Sequence, residues 1–125
     1  MTLVLVVTLA GAVGAVLRAL IEAYLPNRPD GLPWGLIVVN VSGSALAGAI
    51  APCTSGDLRT VLLVGLCGAL TTYSGFAWRV NLQLQSARPW LGAGTIAVMV
   101  TACLAACALT WWLVPVISLG TCAVG

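Results

Sequence analysis

The stretch "GLCGALTTYSGFAW", residues 65–78, sits inside a segment that carries no charge from Thr60 to Trp78. It is apolar enough for the interior of a membrane. Yet it strings together Gly65, Gly68, Thr71, Thr72, Ser74 and Gly75, all weak helix formers. Irregular backbone at membrane depth survives only where it is buried in protein or lines a cavity. A helix interrupted there frees carbonyl oxygens at one half-helix end, and such oxygens attract cations. The stretch therefore predicts a break near Gly68–Thr72 that holds an ion. Tyr73 and Phe76 follow, three apart, on one helical face. An aromatic ring is negative on its face and positive at its edge. Rings turned edge-on to a narrow path would stabilise a small anion without a full positive charge. The bland alternative is that both rings are packing.

The rest of the chain makes a membrane the only solvent that fits. Of 125 residues, 61% are hydrophobic and 6% charged, against about a quarter charged in a soluble domain. A chain this short cannot bury so much apolar surface in one aqueous core. Between the charges lie four apolar blocks, about 3–25, 34–52, 60–84 and 90–115. Each has roughly the 20 residues that cross a bilayer. The expected architecture is one all-α domain of four transmembrane helices, the third interrupted. The first block lacks the basic start of a signal peptide, its first positive charge being Arg18, and is read as a structural helix.

The breaks are set by turn formers: "PNRPDGLPW" (26–34), "APCTSGDLR" (51–59) and "QLQSARPW" (83–90). Thr54, Ser55 and Asp57 are candidate caps for the third helix, and Pro89 suits the first turn of the fourth. Trp34, Trp90, Trp111 and Trp112 fall near helix ends, where the interfacial aromatic belt belongs. Arg28 and Arg88 fall in loops on one side and Arg59 on the other. Arg79 is near the end of the third span and Arg18 inside the first; the bias is slight, and the expectation is a chain that inserts both ways round, with opposite copies pairing about an axis in the membrane plane.

Composition also excludes much. There is no histidine, no C-x-x-C pair, no phosphate loop, no nucleophile elbow and no paired carboxylates. An enzyme or a side-chain metal site does not fit. A net charge of +2 is too small and scattered for nucleic acid. The five cysteines are read as small apolar fillers.

Three further polar groups at membrane depth need partners. Arg18 is costly inside a span; Glu22, one turn on, is placed to neutralise it, and the residue is read as a structural anchor. Asn40 shares a face with Gly43, Ser44 and Ala47. Its amide must donate across a helix contact or into a wet path. Thr101 lies on a stripe with Gly94, Ala97, Ala105 and Ala108, which by itself reads as packing.

These residues together resemble the CrcB/Fluc family of fluoride channels. "GAVGAVLR" (11–18) is similar to the family's N-terminal glycine–arginine motif, "VNVSGSALAG" (39–48) to its second-helix motif, and "GLCGALTTYSGF" (65–76) to its third-helix signature. The resemblance covers nearly the whole chain. It implies an antiparallel dual-topology dimer with two pores in the cell membrane, exporting toxic fluoride passively and excluding chloride. It implies a structural sodium ion at the dimer centre, held by backbone carbonyls at positions matching Gly68 and Thr71. It places Tyr73 and Phe76 at the family's pore phenylalanines, Asn40 on the pore-facing asparagine, and Ser74 and Thr101 on its hydroxyl track. On this reading the donors that replace fluoride's water are the Asn40 amide, the two hydroxyls and the ring edges.

The chain departs from the pattern at Tyr73, Ala69, Gly75 and Arg79, and its fourth helix carries a thin hydroxyl track with Ala97 and Ala105. Those departures suit a subunit that shares its pores with a paralogous chain, or a non-conducting partner in such a pair. A small proton-coupled multidrug transporter is the remaining alternative. It needs a carboxylate deep in the first span, and Glu22, the sole candidate, lies near that span's end.

Overall fold

The computed structural model describes residues 1–25, 31–117 and 122. Among these, helix α1 runs Thr2–Tyr24 and α2 runs Trp34–Ile50. The third span is built in pieces: α3 (Gly56–Thr60), a π-helical segment (Val61–Cys67), α4 (Gly68–Leu70) and α5 (Tyr73–Leu84). The last helix, α6, runs Pro89–Ile117. The sequence thus supplies four apolar helical passages, three of them long and apolar enough to cross a membrane. The exception is α2. Its 17 residues give about 25 Å at about 1.5 Å per residue, against a hydrocarbon core of about 30 Å. It stops at Ile50 rather than 52 because Pro52 has no N–H to continue the ladder.

Glycines set how the helices meet. Gly65 in the π-helical segment lies against Val7 and Ala10 of α1; a Cβ there would come within 2.8 Å of the Val7 carbonyl oxygen. Gly14 of α1 fits against the Leu66 carbonyl and Leu70. The two segments therefore run side by side in the same direction. α2 and α6 do likewise. Leu36 and Ile37 form a buried cluster with Met99, and further along Gly48 meets Cys107 and Thr110. Thr110 Oγ1 donates to the Ala45 carbonyl at 2.8 Å, a bond across the helix pair. The π-helical widening was not foreseen. Glycines at 65 and 68 lower the cost of leaving α geometry.

α5 is fixed to α6 by a buried polar chain. Gln83 is 3% exposed and Thr95 fully buried. Thr95 Oγ1 donates to Gln83 Oε1 at 2.8 Å, and Gln83 Nε2 donates to the Gly31 carbonyl at 3.1 Å. Among the described residues every buried side-chain nitrogen and oxygen finds a partner, as apolar surroundings demand. Facing outward are apolar side chains, among them Val4, Leu9, Val13, Leu104 and Leu109, with Trp34, Trp90, Trp111 and Trp112 exposed near the helix ends. That is the pattern of a chain bathed in lipid.

The cysteines divide, which corrects the reading of all five as fillers. Cys67 is buried, and Cys103 and Cys107 are half-buried free thiols. Cys53, in the connection after α2, is joined by a disulfide to Cys122, which follows α6. α2 and α6 run the same way, so both cysteines lie at the same end of the bundle.

Candidate functional site

The predicted interruption exists and has a definite construction. α4 ends at Leu70; Thr71 (φ −80°, ψ 157°) and Thr72 (φ −144°, ψ 117°) are extended, and α5 restarts at Tyr73. In an unbroken helix the Thr72 N–H would close on the Gly68 carbonyl, and the Gly75 N–H on the Thr71 carbonyl. Neither does. Thr72 N–H donates to Asn40 Oδ1 at 2.8 Å, and Gly75 N–H donates to Thr72 Oγ1 at 3.2 Å. Thr72 is thereby the N-cap of α5. The Gly68 and Thr71 carbonyls, singled out from sequence, are the two released from those bonds. Gly68 is exposed and Thr71 half-buried.

Asn40 is the clamp that keeps the break open. The residue is 8% exposed. Besides accepting from Thr72, it donates through Nδ2 to the Leu36 carbonyl at 3.0 Å and to the Thr72 carbonyl at 3.4 Å. One amide hydrogen is thus spent within α2 and the other across the contact between α2 and the third span. Close approach is possible because Gly43, one turn on, faces Thr71; a Cβ at 43 would collide with Thr71 Cγ2.

Beside the break opens a cleft of about 410 Å³. Asn40 and Ser44 of α2 line one wall, Thr71, Thr72, Tyr73 and Phe76 a second, and Met99, Val100, Cys103 and Leu104 of α6 a third. The rings of Tyr73 and Phe76 stand 6.2 Å apart with their planes tilted by 52°. Phe76, the only phenylalanine in the chain, packs on the Leu36–Ile37–Met99 cluster. Tyr73 is 81% exposed.

The remaining sequence candidates lie apart from the cleft wall. Ser74 is exposed, its hydroxyl 3.3 Å from Thr72 Oγ1. Thr101 follows Val100 but is turned outward, and its hydroxyl donates to the Ala97 carbonyl at 2.7 Å. Arg18 is half-buried in α1, and Glu22 lines a different, smaller cleft of about 250 Å³ with Leu36, Gly75, Trp78 and Arg79. Ser44 was passed over as a site residue; its signal was its spacing of four from Asn40. Among the described residues no cluster of three or more His, Cys, Asp or Glu side chains is arranged to hold a metal.

The family model described as CrcB-like protein, Camphor Resistance (CrcB), matches residues 5–111. The fluoride-specific ion channel FluC of Paramagnetospirillum magneticum is 36% identical over 116 residues, covering 86% of this chain and 88% of its own. That of Rhodospirillum rubrum is 32% identical, covering 80% and 84%. The fluoride-specific ion channel FluC 1 of Nocardia farcinica is 36% identical, covering 87% and 81%. With four apolar helical passages, a third span broken at Thr71–Thr72 and a family match over most of its length, this chain belongs to the CrcB/FluC family of ion channels and is not an enzyme.

Proposed function

We propose that this chain is a subunit of a fluoride-selective passive channel that releases cytoplasmic fluoride across the plasma membrane and so lowers its toxicity. The observation that carries the reading is the break at Thr71–Thr72, held open by Asn40 and opening on a cleft edged by Tyr73 and Phe76. The names of the relatives supply the ion.

Fluoride holds its water tightly, so a path must offer substitute donors that are good enough for entry and weak enough for exit. The Asn40 Nδ2 bond to the Thr72 carbonyl, at 3.4 Å, is the longest that this amide makes. It is the donor most easily turned toward a passing ion. The ring edges of Tyr73 and Phe76 add positive potential without a fixed charge. Ser74 and Thr101, both exposed in the single chain, are hydroxyls that a second chain would cover.

That second chain, identical or paralogous, runs the opposite way in the membrane, and the pair encloses two pores. The Gly68 and Thr71 carbonyls, released from their helical donors, fit a hard monovalent cation. Together with their counterparts they would hold a sodium ion through four oxygens. When bound, the sodium supplies a fixed positive charge at the dimer centre.

The test is fluoride efflux, followed by an ion electrode, from liposomes that hold the chain alone or with an oppositely directed subunit. Fast efflux of fluoride but not chloride is expected in at least one preparation. No fluoride efflux in either, or equal chloride efflux, overturns the reading. Drug-driven proton movement would point to the transporter alternative instead.

A further inference from the structure

Two features that the channel reading does not use agree on which way this chain faces. The first is the disulfide between Cys53 and Cys122. Disulfides form and persist in oxidising compartments and are rare where thiols are kept reduced. The ends of α2 and α6 share one face of the bundle, so this bond marks that face as the oxidising one. The cysteines without a disulfide, Cys67, Cys103 and Cys107, all lie within the spans, and none falls on the opposite face.

The second is charge. The helix registers place Arg18 six residues before the end of α1 and Arg79 five before the end of α5, within snorkelling reach of that opposite face. Arg88 belongs to the connection between α5 and α6 on the same side. Among the described residues three of the four arginines, Arg18, Arg79 and Arg88, therefore gather on one face, and Arg59 lies on the disulfide face; the chain has no lysine. Arginine excess marks the cytoplasmic side. The two indicators have independent physical origins, redox and electrostatics, and they give the same answer.

From this we infer that the chain enters the membrane in one orientation only, with the Cys53–Cys122 face outward, so that the oppositely directed subunit of its channel is a different chain. The second clause rests on the dimer proposed above; the first does not. The required partner is a homologue of the same four-span architecture whose arginine excess lies on the other face. Nocardia farcinica holds two relatives of this chain, the fluoride-specific ion channels FluC 1 and FluC 2, at 36% and 35% identity.

The experiment uses the full chain in a bacterial host without a fluoride channel of its own. A membrane-impermeant maleimide is applied to intact cells before and after an impermeant reductant, with Ala87→Cys reporting the exposed connection between α5 and α6. Cys53 and Cys122 are expected to label only after reduction, and Ala87→Cys only once the cells are permeabilised. Labelling of Ala87→Cys in about half of the molecules in intact cells, or of Cys53 without reductant, overturns the single orientation. The partner clause is read from fluoride efflux by the chain alone and with a charge-inverted copy (Arg28→Ser, Arg88→Ser, Ser55→Arg, Asp57→Arg, Cys53→Ser, Cys122→Ser) whose own Ala87→Cys labels in intact cells. Efflux only in the pair, at least about tenfold above background, supports it; equal efflux by the chain alone overturns it. One-sided labelling with no efflux in either case leaves the orientation standing and removes the channel reading together with the partner clause.

Discussion

Asn40 grips the peptide unit of Thr72 from both sides: Thr72 N–H donates to Oδ1 at 2.8 Å, and Nδ2 donates to the Thr72 carbonyl at 3.4 Å. One side chain from α2 thus supplies what the third helix gives up by breaking. Without it the half-buried Thr72 N–H would lose its protein partner, at a cost below the about 1–3 kcal/mol of a fully buried orphan. The same residue faces the cleft, so construction and proposed conduction meet in one amide.

Asn40→Asp separates the two roles. A carboxylate keeps an acceptor for the Thr72 N–H but loses both donors and sets a negative charge on an anion path. Fluoride efflux from liposomes holding the conducting dimer should fall at least about tenfold, equivalent to about 1.4 kcal/mol. The purified protein should keep a single sharp elution profile. Wild-type efflux would remove Asn40 from the path.

The two rings differ in what they risk. Phe76→Ile keeps apolar volume against Leu36, Ile37 and Met99 but deletes the ring edge. It should abolish efflux while costing under about 1.5 kcal/mol of stability, as size-conserving core swaps do. Tyr73→Phe deletes only the phenol hydroxyl, a donor that lengthens an ion's stay, and efflux should hold or quicken. A slow Tyr73→Phe channel beside a normal Phe76→Ile one would reverse the assignment.

How far the sequence alone reaches is clearest at three places. The break was legible because Gly65, Gly68, Thr71, Thr72 and Ser74 accumulate in an uncharged segment, where weak helix formers have no other reason to gather. The clamp was half legible. The face of Asn40, Gly43 and Ser44 followed from spacing, but the residue that it grips, Thr72, lies 32 positions away, and local pattern carries no such pairing. Cys53 and Cys122 were illegible, being separated by 69 residues and scored by the apolar company of the other cysteines. The side on which Arg18 and Arg79 count was illegible for a related reason: sequence puts one inside the first span and the other near the end of the third, and how far each stands from a face follows only from helix register.

Gly43 sets the distance between α2 and the break, so Gly43→Ala should act on the ion path through packing. The added methyl collides with Thr71 Cγ2, and overpacking of this kind costs about 1–3 kcal/mol. Thr71 must shift, and its carbonyl with it, so efflux should drop and the protein should melt at lower temperature. Thr71→Ser removes the colliding methyl and keeps the hydroxyl that donates to the Cys67 carbonyl at 3.0 Å. The double variant Gly43→Ala/Thr71→Ser should recover most of both losses. Failure to recover either would mean that Gly43 acts through some contact other than Thr71.

The Gln83–Thr95 pair should govern stability while leaving selectivity alone, because it lies outside the cleft wall and joins α5 to α6. Thr95→Val removes the hydroxyl donor at a fully buried site and leaves Gln83 Oε1 without its 2.8 Å partner. A buried acceptor left unpaired costs about 1–3 kcal/mol. Replacing both partners, Thr95→Val with Gln83→Met, should recover part of that, since an apolar pair of similar shape carries no orphan atom between the two helices. The recovery stays partial because the Gly31 carbonyl then loses the Gln83 Nε2 donor at 3.1 Å. Thermal unfolding in detergent should rank wild type above the double variant and the double variant above Thr95→Val. Those variants that survive reconstitution should show an unchanged ratio of fluoride to chloride efflux. A shift in that ratio would place the pair on the ion path and not in the scaffold that supports it.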